Sequence, residues 1–323
     1  MSDGFFFFLS VMDLTLIIFP FSLNIVLPLR SPARGECSVL KTTFYHMGRS
    51  GQVRARPRCI SIASGKGGTG KTTLTANLGV ALASLGKRVT ILDADLTMAN
   101  LALVMGISQM RASLLDVVKG RSSLSDALRE SYGVRLLPAG FRFEDASEAL
   151  SGVDRKRVRA VVHELLSTSD FLLIDAPAGI QETTMLSMAA AKEMLLVCNP
   201  TYTSIVDGYK ILRFAGLMGC WARGVVVNRV DRKSELPPEE IEEFMGRAAD
   251  GIRVLAEIPE DPRVREAELH GIPVVAYDPD CPASAAIHGL AEVVAGKSQP
   301  SQLPSASLTE TSERLIRVLT GRL

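Results

Sequence analysis

The stretch that most restricts how this chain can fold is a glycine-rich run with two lysines, which reads Ser64-Gly65-Lys66-Gly67-Gly68-Thr69-Gly70-Lys71-Thr72-Thr73. It matches the spacing GxxxxGK[ST]. An apolar run at 58–63 precedes it and is predicted as a strand, and a helical pattern over 71–85 follows it. Glycines carry no Cβ, so consecutive backbone N–H groups can turn toward one phosphate, and the amino end of the helix adds partial positive charge. The stretch therefore predicts a phosphate-binding turn between a strand and a helix.

Side chains at the end of this stretch have separate predicted tasks. Lys71 would reach the β- and γ-phosphate oxygens, the Thr72 hydroxyl would ligate Mg²⁺, and Thr73 would support the α-phosphate. The residues that would surround the phosphates with their backbone are Gly65, Gly67, Gly68, Thr69 and Gly70. A glycine-rich turn that binds nothing is the alternative, and the complete spacing with its Lys-Thr ending argues against it.

The chain from residue 57 onward alternates between short apolar runs and longer helical patterns. Strands are predicted at 58–63, 88–92, 134–137, 171–174, 194–198, 224–227, 253–256 and 274–276. Near-continuous apolar strands separated by helices indicate an α/β fold with a doubly wound, mostly parallel sheet that is buried on both faces. One domain over 57–296 accounts for the pattern.

A second lysine lies inside the glycine-rich turn. With Lys66 the turn reads KGGTGKTT, and in this it resembles the deviant Walker A ATPases, the MinD/ParA family of P-loop NTPases. The resemblance spans about residues 58–296 and implies a doubly wound sheet, ATP and Mg²⁺ as cofactors, and a homodimer that forms around ATP. It also implies that Lys66 contacts the phosphates held by the partner subunit and neutralises charge on the transferred phosphoryl group. A lysine that merely faces solvent is the alternative.

Acidic residues after two predicted strands extend the resemblance. Asp93 and Asp95 stand where the family carries its DxD switch, so Asp95 would orient the attacking water and Asp93 would support the metal. Asp175 begins the segment DAPAG, which is similar to the family's second switch, and would hold Mg²⁺ through water. Gly179, at the end of that segment, would let the backbone respond to the γ-phosphate. Taken in isolation, acids at strand ends are more often caps or turn residues.

The resemblance also places a base-binding side. Asn228, at the end of GVVVN, stands where the family has an amide that reads adenine, since an amide offers both a donor and an acceptor. Pro259 and Asp261 lie in a segment that resembles the second base-side loop, where the proline would pack and the aspartate would form a hydrogen bond. A strand-end Asn that acts as a cap is the alternative for Asn228.

Several functions compete within and beside this family. The segments DADLTMANLAL and DAPAGI look closest to MinD. A ParA-like DNA-partitioning ATPase is disfavoured because 36 basic side chains stand against 35 acidic ones, so nucleic acid is not an expected partner. A metal-cluster carrier is disfavoured because the five cysteines form no CxxC pair, and Cys198 or Cys281 alone would have to serve at a dimer interface. A scaffold with a degenerate nucleotide pocket is disfavoured by the intact lysines and aspartates.

The predicted function is therefore that of a MinD-like ATPase. Mg-ATP closes a homodimer through Lys66, and the dimer associates peripherally and reversibly with the cytoplasmic membrane, where it positions division or other polar machinery. A slow hydrolysis of ATP to ADP and phosphate, stimulated by an unidentified client or activator protein, releases it. The odd number and wide spacing of the cysteines favour a reduced, cytoplasmic location.

The first 56 residues form an apolar and basic extension. Six of the twelve phenylalanines lie before residue 22, within an apolar run at 5–29 that is long enough to cross a bilayer core of about 30 Å as a helix. Asp13, Pro20 and Pro28 interrupt that run. The favoured interpretation is a chain start assigned too early, with Met47 as the initiator, and a membrane anchor or an apolar tail are the alternatives.

The last residues are predicted to form a linker and a helix. Residues 297–312 are rich in Ser, Gln, Pro and Thr, which predicts a flexible linker. Residues 313–323 can form a short amphipathic helix with three arginines beside its apolar face, although Gly321 weakens the last turn. The resemblance to MinD implies that this helix lies on an anionic membrane surface. A helix that packs on its own domain is the alternative.

Overall fold

The computed structural model of the chain describes the backbone of residues 7–11, 14–19, 22–26, 46–47, 53–54, 57–94, 100–140, 155–179, 182–231, 234, 236–296 and 308–319. Side chains are described for most of these positions from residue 57 onward. The chain divides into two compact units, 1–56 and 57–323.

The first unit contains antiparallel strands in the part that the structure describes. A three-stranded sheet and a separate strand pair are formed by β1 (Phe7–Val11), β2 (Leu14–Phe19), β3 (Ser22–Val26), β4 (His46–Met47) and β5 (Val53–Arg54). The described residues of the apolar run, 7–11, 14–19 and 22–26, thus lie in strands, whereas the membrane-anchor alternative assumes a helix. None of the helices among the described residues has the length and apolar character that a bilayer crossing needs. The interpretation that the chain start is assigned too early, with Met47 as the initiator, stays a prediction.

Strands of the second unit form one eight-stranded sheet. They are β6 (Arg58–Ala63), β7 (Val89–Asp93), β8 (Arg129–Ser131), β9 (Val134–Pro138), β10 (Phe171–Asp175), β11 (Glu193–Cys198), β12 (Trp221–Val230) and β13 (Val254–Pro259). Their spatial order is β13-β12-β11-β6-β10-β7-β9-β8, and all neighbours are parallel except β8 and β9. The chain leaves β6 first toward one side of the sheet and later toward the other, so a topological switch point lies beside β6. This confirms the predicted doubly wound, mostly parallel sheet.

Helices connect and cover these strands. They are α1 (Lys71–Ser84), α2 (Asn100–Val104), α3 (Leu114–Val118), α4 (Leu124–Ala127), α5 (Arg155–Ser167), α6 (Glu182–Ala190), α7 (Tyr202–Leu217), α8 (Pro238–Gly246), α9 (Pro262–His270), α10 (Val274–Tyr277), α11 (Pro282–Ala295) and α12 (Leu308–Leu319). On one face of the sheet α1 and α11 pack against Ile60 and Ile62, and on the other face α5 packs beside Leu172. Leu172 and Leu173 are neighbours in β10 yet belong to opposite layers, and both are fully buried. A parallel sheet covered on both faces requires this continuous apolar sequence.

The prediction of a strand at 274–276 is wrong, because these residues lie in helix α10. Pro273 precedes the first turn, and the Val275 N–H donates to Oδ1 of Asn77 in α1 at 3.1 Å. A short β-branched run carries too little periodicity to separate a helix from a strand, and packing against α1 decides the outcome here.

The C-terminal helix packs on its own domain. α12 begins within the predicted linker, at Leu308, and its residues Leu315 and Ile316 are only 2% and 6% exposed. Both belong to the apolar layer that contains α5. The predicted free amphipathic helix is therefore a docked element in this structure, while residues 297–307 and 320–323 lie outside the described part.

Polar contacts fix α12 in this position. Arg314 donates to three backbone carbonyl oxygens, at 3.2, 3.3 and 2.9 Å, and Glu313 pairs with Arg159 of α5 at 2.8 Å. The arginine predicted to lie near a lipid surface thus satisfies carbonyl groups of the domain itself. An amphipathic pattern indicates that one face is buried, but it does not identify what buries it.

Candidate functional site

Most predicted site residues lie at the carboxyl ends of neighbouring parallel strands. The turn at 64–70 follows β6, Asp93 ends β7, Asp175 ends β10, and Asn228 lies in the last part of β12. In a parallel sheet these ends share one edge, and a ligand crevice opens there at the switch point. The topology therefore gathers the residues that the sequence predicts for one site.

Close backbone approaches explain the glycines of the turn. Gly70 has φ 84° and precedes the first residue of α1. At Gly65 a Cβ would lie 2.3 Å from the backbone carbonyl carbon of Asp207 in α7. The Gly179 N–H donates to the Ser64 carbonyl oxygen at 2.9 Å, which joins the turn to the DAPAG segment. A larger residue at Gly65 would displace Asp207, and a larger residue at Gly70 would be strained by the left-handed backbone.

Asp175 is the centre of the polar contacts below the turn. The Lys71 ammonium nitrogen donates to Oδ1 at 3.0 Å, the Thr75 hydroxyl donates to the same oxygen at 3.0 Å, and the Thr72 hydroxyl donates to Oδ2 at 2.8 Å. Asp175 is 1% exposed and Lys71 is 6% exposed. Because the pair is buried, each charge depends on the other for compensation.

The chemistry of these residues fits a nucleotide triphosphate with Mg²⁺. The Thr72 hydroxyl and the Asp175 carboxylate offer the oxygen ligands that this ion prefers. Within the described part of the chain the buried Thr69 hydroxyl has no hydrogen-bond partner, and the cradle at Gly65 and Gly70 has no room for a Cβ. Thr72 would hold the ion directly, and Asp175 would hold it through water.

The two switch aspartates and the second lysine have different environments. Asp93 is 7% exposed and lies opposite Asp175 in the β7–β10 register, close to where the ion would be held. Asp95 lies outside the described residues, so its role in orienting water stays a prediction. Lys66 is exposed and lines the cavity above the turn, here called the phosphate cavity.

A second cavity, the base-side cavity, opens beside the turn and has a volume of about 360 Å³. Asn228 and Pro259 line it, as the sequence predicts. The Asn228 side-chain amide donates to the Thr69 carbonyl oxygen at 2.8 Å, so its own oxygen is available to accept from the amino group of a base.

Asp261 also lines the base-side cavity, but the structure gives its carboxylate another task. Oδ1 accepts from the Arg263 N–H at 2.9 Å and Oδ2 accepts from the Ala283 N–H at 3.3 Å. The residue is thus the N-cap of α9 and also ties α11 to it. A hydrogen bond from Asp261 to a base, as predicted from the resemblance, would have to compete with these two contacts.

Comparison with known proteins agrees with this geometry. A family model described as "ParA: NUBPL iron-transfer P-loop NTPase" matches residues 56–295. The chain belongs to the MinD/ParA family of P-loop NTPases. This confirms the family, the fold, and ATP with Mg²⁺ as the cofactors of such proteins.

Relatives in the MinD/ParA family cover most of this chain. An uncharacterised ATP-binding protein of Methanocaldococcus jannaschii is 40% identical over 265 residues, which are 81% of this chain and 97% of that protein. The septum site-determining protein MinD of Bacillus subtilis is 33% identical over 76% of this chain and 91% of its own length. The MinD of Pyrococcus horikoshii, solved with Mg-ADP, is 39% identical with a TM-score of 0.63 and is matched over 76% of this chain and 100% of its own.

Three residues around the P-loop of this family member are missing from the sequence prediction. Thr75 lies one helical turn after Lys71, and this i, i+4 spacing was the available signal. Glu268 accepts a hydrogen bond from the Thr73 hydroxyl, and Arg229 lines both cavities. Glu268 comes from a distant helix and Arg229 from a local bulge, so neither has a spacing that marks it in the sequence.

The four cysteines that the structure describes are buried, and they include Cys198 and Cys281, the two considered for a metal cluster. Burial raises the pKa of Cys198 and of Cys220 to about 12, so both thiols stay protonated at neutral pH. The Cys281 sulfur is buried and accepts from the Ser284 N–H at 3.5 Å at the start of α11. Within the described ranges no group of three or more His, Cys, Asp or Glu side chains is arranged to hold a metal ion.

Proposed function

We propose that this member of the MinD/ParA family is a MinD-like ATPase switch. It binds Mg-ATP, forms a homodimer while ATP is bound, and associates with a membrane in that state to position division or other polar machinery. Hydrolysis, stimulated by a client or activator protein, releases it. The proposal rests above all on the buried Lys71–Asp175 pair. Lys71 is at the end of the P-loop, which also contains the exposed Lys66.

ATP binding requires Lys71 to exchange partners. Its ammonium group leaves Asp175 for the β- and γ-phosphate oxygens, while the backbone amides of the turn and the start of α1 bind the phosphates. The Thr72 hydroxyl can continue to donate to Asp175 and still present a lone pair to the cation. Bound Mg²⁺ supplies the positive charge that compensates Asp175 and the phosphates. The Thr75 hydroxyl shares its one hydrogen between the Lys71 carbonyl oxygen at 2.9 Å and Asp175 at 3.0 Å, and it can continue to donate to the carboxylate after Lys71 leaves.

Dimerisation would bring the second lysine into use. Lys66 is exposed. Helix α7 lies next to the turn, as the close approach of the Asp207 backbone to Gly65 shows. The same end of α7 carries two exposed apolar side chains, Tyr202 at 61% and Val206 at 44%. An apolar patch beside an exposed lysine suits a second copy of the chain, which would place its own Lys66 on the phosphates across the interface.

Membrane association depends on the release of α12. Its apolar residues Leu315 and Ile316 are buried against the domain, so they can meet lipid only after the helix leaves. Each arginine near an anionic surface contributes about 1 kcal/mol, so one helix would bind marginally. Two helices on one dimer gain about 10²- to 10⁴-fold from effective concentration. Dimerisation around ATP would therefore favour the membrane-bound state.

A metal-carrier function is the second candidate, because the matching family model is described as an iron-transfer NTPase. The buried, protonated Cys198 and Cys220 make poor ligands. Iron analysis of the chain purified without oxygen separates the two candidates. The MinD-like switch is expected to carry no stoichiometric iron.

Phosphate release and ATP-dependent dimerisation together test the proposed switch. The parent chain should release phosphate slowly and dimerise with ATP but not with ADP. Lys71→Ala should lose both properties because the phosphates lose their cation, whereas Lys66→Ala should keep ATP binding and lose dimerisation and turnover. Lys87→Ala, three residues after the end of α1, is the matched control.

Two outcomes would contradict this function. If Lys66→Ala dimerises and turns over ATP at the parental rate, the lysine does not act across an interface. If neither the parent nor Lys71→Ala releases phosphate at any protein concentration, the chain is a scaffold and not an ATPase.

A further inference from the structure

Arg229 occupies a bulge at the carboxyl end of β12. In the pairing with β13, Asn228 lies opposite Ile258 and Val230 lies opposite Pro259, so Arg229 is the extra residue between them. Its φ is 62°, in the left-handed region that is unfavourable for residues with a Cβ. Bulges next to binding sites redirect side chains, and such a backbone conformation persists where the surrounding structure maintains it.

The Arg229 side chain lies where the two cavities of the site meet. The phosphate cavity and the base-side cavity share three lining residues, Gly70, Thr73 and Arg229. Gly70 and Thr73 belong to the P-loop and the start of α1, where the α-phosphate is expected. The shared boundary is therefore where the phosphate chain of a nucleotide joins its nucleoside, and Arg229 is the cation among the three residues.

The ionic partner of Arg229 holds it weakly. Its Nε lies 3.6 Å from Oε2 of Glu260, beyond hydrogen-bond distance, and the two side chains are 54% and 56% exposed. An exposed pair of this kind contributes little to stability and is screened by salt. A phosphate offers the guanidinium two charge-assisted hydrogen bonds in a matching planar geometry, so an exchange of Glu260 for phosphate is favourable.

We propose that Arg229 is a further nucleotide-binding residue whose guanidinium pairs with the α-phosphate at the boundary of the two cavities. The inference rests on the proposed ATP site and adds to it a contact that every adenine nucleotide shares. Because Asn228 remains on the Thr69 carbonyl, the bulge lets two successive residues serve different parts of one ligand, the base and the first phosphate.

Nucleotide series measured on the full chain test this role. Displacement of a fluorescent ADP analogue by ATP, ADP, AMP and adenosine should show that Arg229→Gly weakens binding of the three nucleotides by about 10- to 100-fold, the range for a hydrogen bond between charged groups. Adenosine binding should be unchanged. Arg229→Gln, which keeps the length of the side chain without its charge, should lose nearly as much, and Arg229→Lys should lose less.

Thermal unfolding separates this role from a structural one. Glycine accepts the left-handed backbone, so Arg229→Gly without nucleotide should unfold about 2–4 °C above the parent although it binds nucleotide less tightly. Glu260→Gln, the control, should leave the unfolding temperature unchanged and nucleotide affinity equal or slightly higher.

Two results would overturn the inference. An equal loss for adenosine and for AMP in Arg229→Gly would show that the guanidinium stacks on the base. Unchanged affinities for all four ligands in both Arg229→Gly and Arg229→Gln would show that the arginine stays in solvent. In either case the proposed function stands if the parent chain binds ADP through Lys71. If the parent chain does not bind ADP, the proposed function itself is refuted.

Discussion

Asp175 and its neighbours show how single residues of this site serve more than one task. The carboxylate accepts from Lys71, Thr72 and Thr75, all on the first turns of α1. In the proposed ATP-bound state Lys71 leaves Asp175 for the phosphates, and the two hydroxyls can stay. A buried carboxylate that keeps two hydroxyl donors depends less on a nearby cation than a buried carboxylate without any hydrogen-bond donor. In the proposed ATP-bound state the two hydroxyls would therefore compensate part of the charge of Asp175 while Lys71 binds the phosphates.

Replacing Lys71 should reveal this dependence as a stability effect. Lys71→Met should lower the free energy of unfolding by up to about 3–5 kcal/mol, because Asp175 would keep a buried charge without its cation. The double variant Lys71→Met/Asp175→Asn should regain most of that loss while still failing to bind ATP. Denaturant unfolding and ATP binding are measured for four proteins: the parent, Lys71→Met, Asp175→Asn and the double variant. A single variant as stable as the parent would mean that the hydroxyls alone compensate Asp175.

At the scale of elements, α12 and α10 show that one apolar pattern is compatible with more than one structure. In α12 the apolar face that would suit a lipid surface packs against the layer around α5, and Arg314 satisfies carbonyl groups there. A switch built on this helix would have two competing docking surfaces, the domain and the membrane, which depend on the same side chains.

Removal of α12 should therefore cost stability as well as membrane binding. A chain that ends at residue 300 exposes the surface that Leu315 and Ile316 cover, and burial of two such side chains contributes about 3–6 kcal/mol. Its unfolding midpoint should fall by roughly 10 °C, whereas Arg317→Ala, at an exposed position of α12, should unfold like the parent. Sedimentation with anionic vesicles and ATP should retain the truncated chain in the supernatant.

Two results would contradict this account of α12. An unchanged midpoint after truncation would mean that the helix does not pack on the domain in solution. Equal pelleting of the truncated and full chains with ATP would exclude α12 as the membrane element.

At the scale of the whole molecule, the doubly wound sheet places the site at one edge and leaves the two ends of α7 with different surroundings. Tyr202 and Val206 lie at the end beside the P-loop, whereas Leu217 is at the other end and is 76% exposed. All three are exposed apolar side chains, so exposure alone does not identify an interface. Proximity to Lys66 distinguishes the first two.

A charge placed on α7 should separate dimerisation from nucleotide binding. Val206→Asp should abolish the ATP-dependent dimer, since an unpaired carboxylate would be buried in the interface, and should leave ATP affinity of the monomer within about two-fold of the parent. Leu217→Asp, the same change on the same helix, should dimerise normally. Light scattering with ATP and with ADP measures the assembly. A Val206→Asp chain that still dimerises would place the interface elsewhere.

Much of the fold and of the phosphate site was predictable because the relevant interactions are local. The glycines of the turn, Lys71 and Thr72 follow one another in the chain, and the turn geometry depends on backbone conformations that only glycine adopts readily. The mostly parallel sheet follows from apolar runs separated by helices, which are also short-range patterns, whereas the order of the strands in it is seen only in the structure.

Contacts between distant segments were decided by the tertiary structure. Nothing in the sequence pattern shows that Asp261 accepts from Ala283 of α11, that Thr73 meets Glu268, or that Arg229 is the bulged residue between two cavities. The sequence by itself determined which backbone can surround a phosphate, since bonded neighbours and missing Cβ atoms control that. Only the packed structure decided what each apolar face covers and which polar groups meet, because an amphipathic pattern gives the direction of burial and not the identity of the surface on the other side.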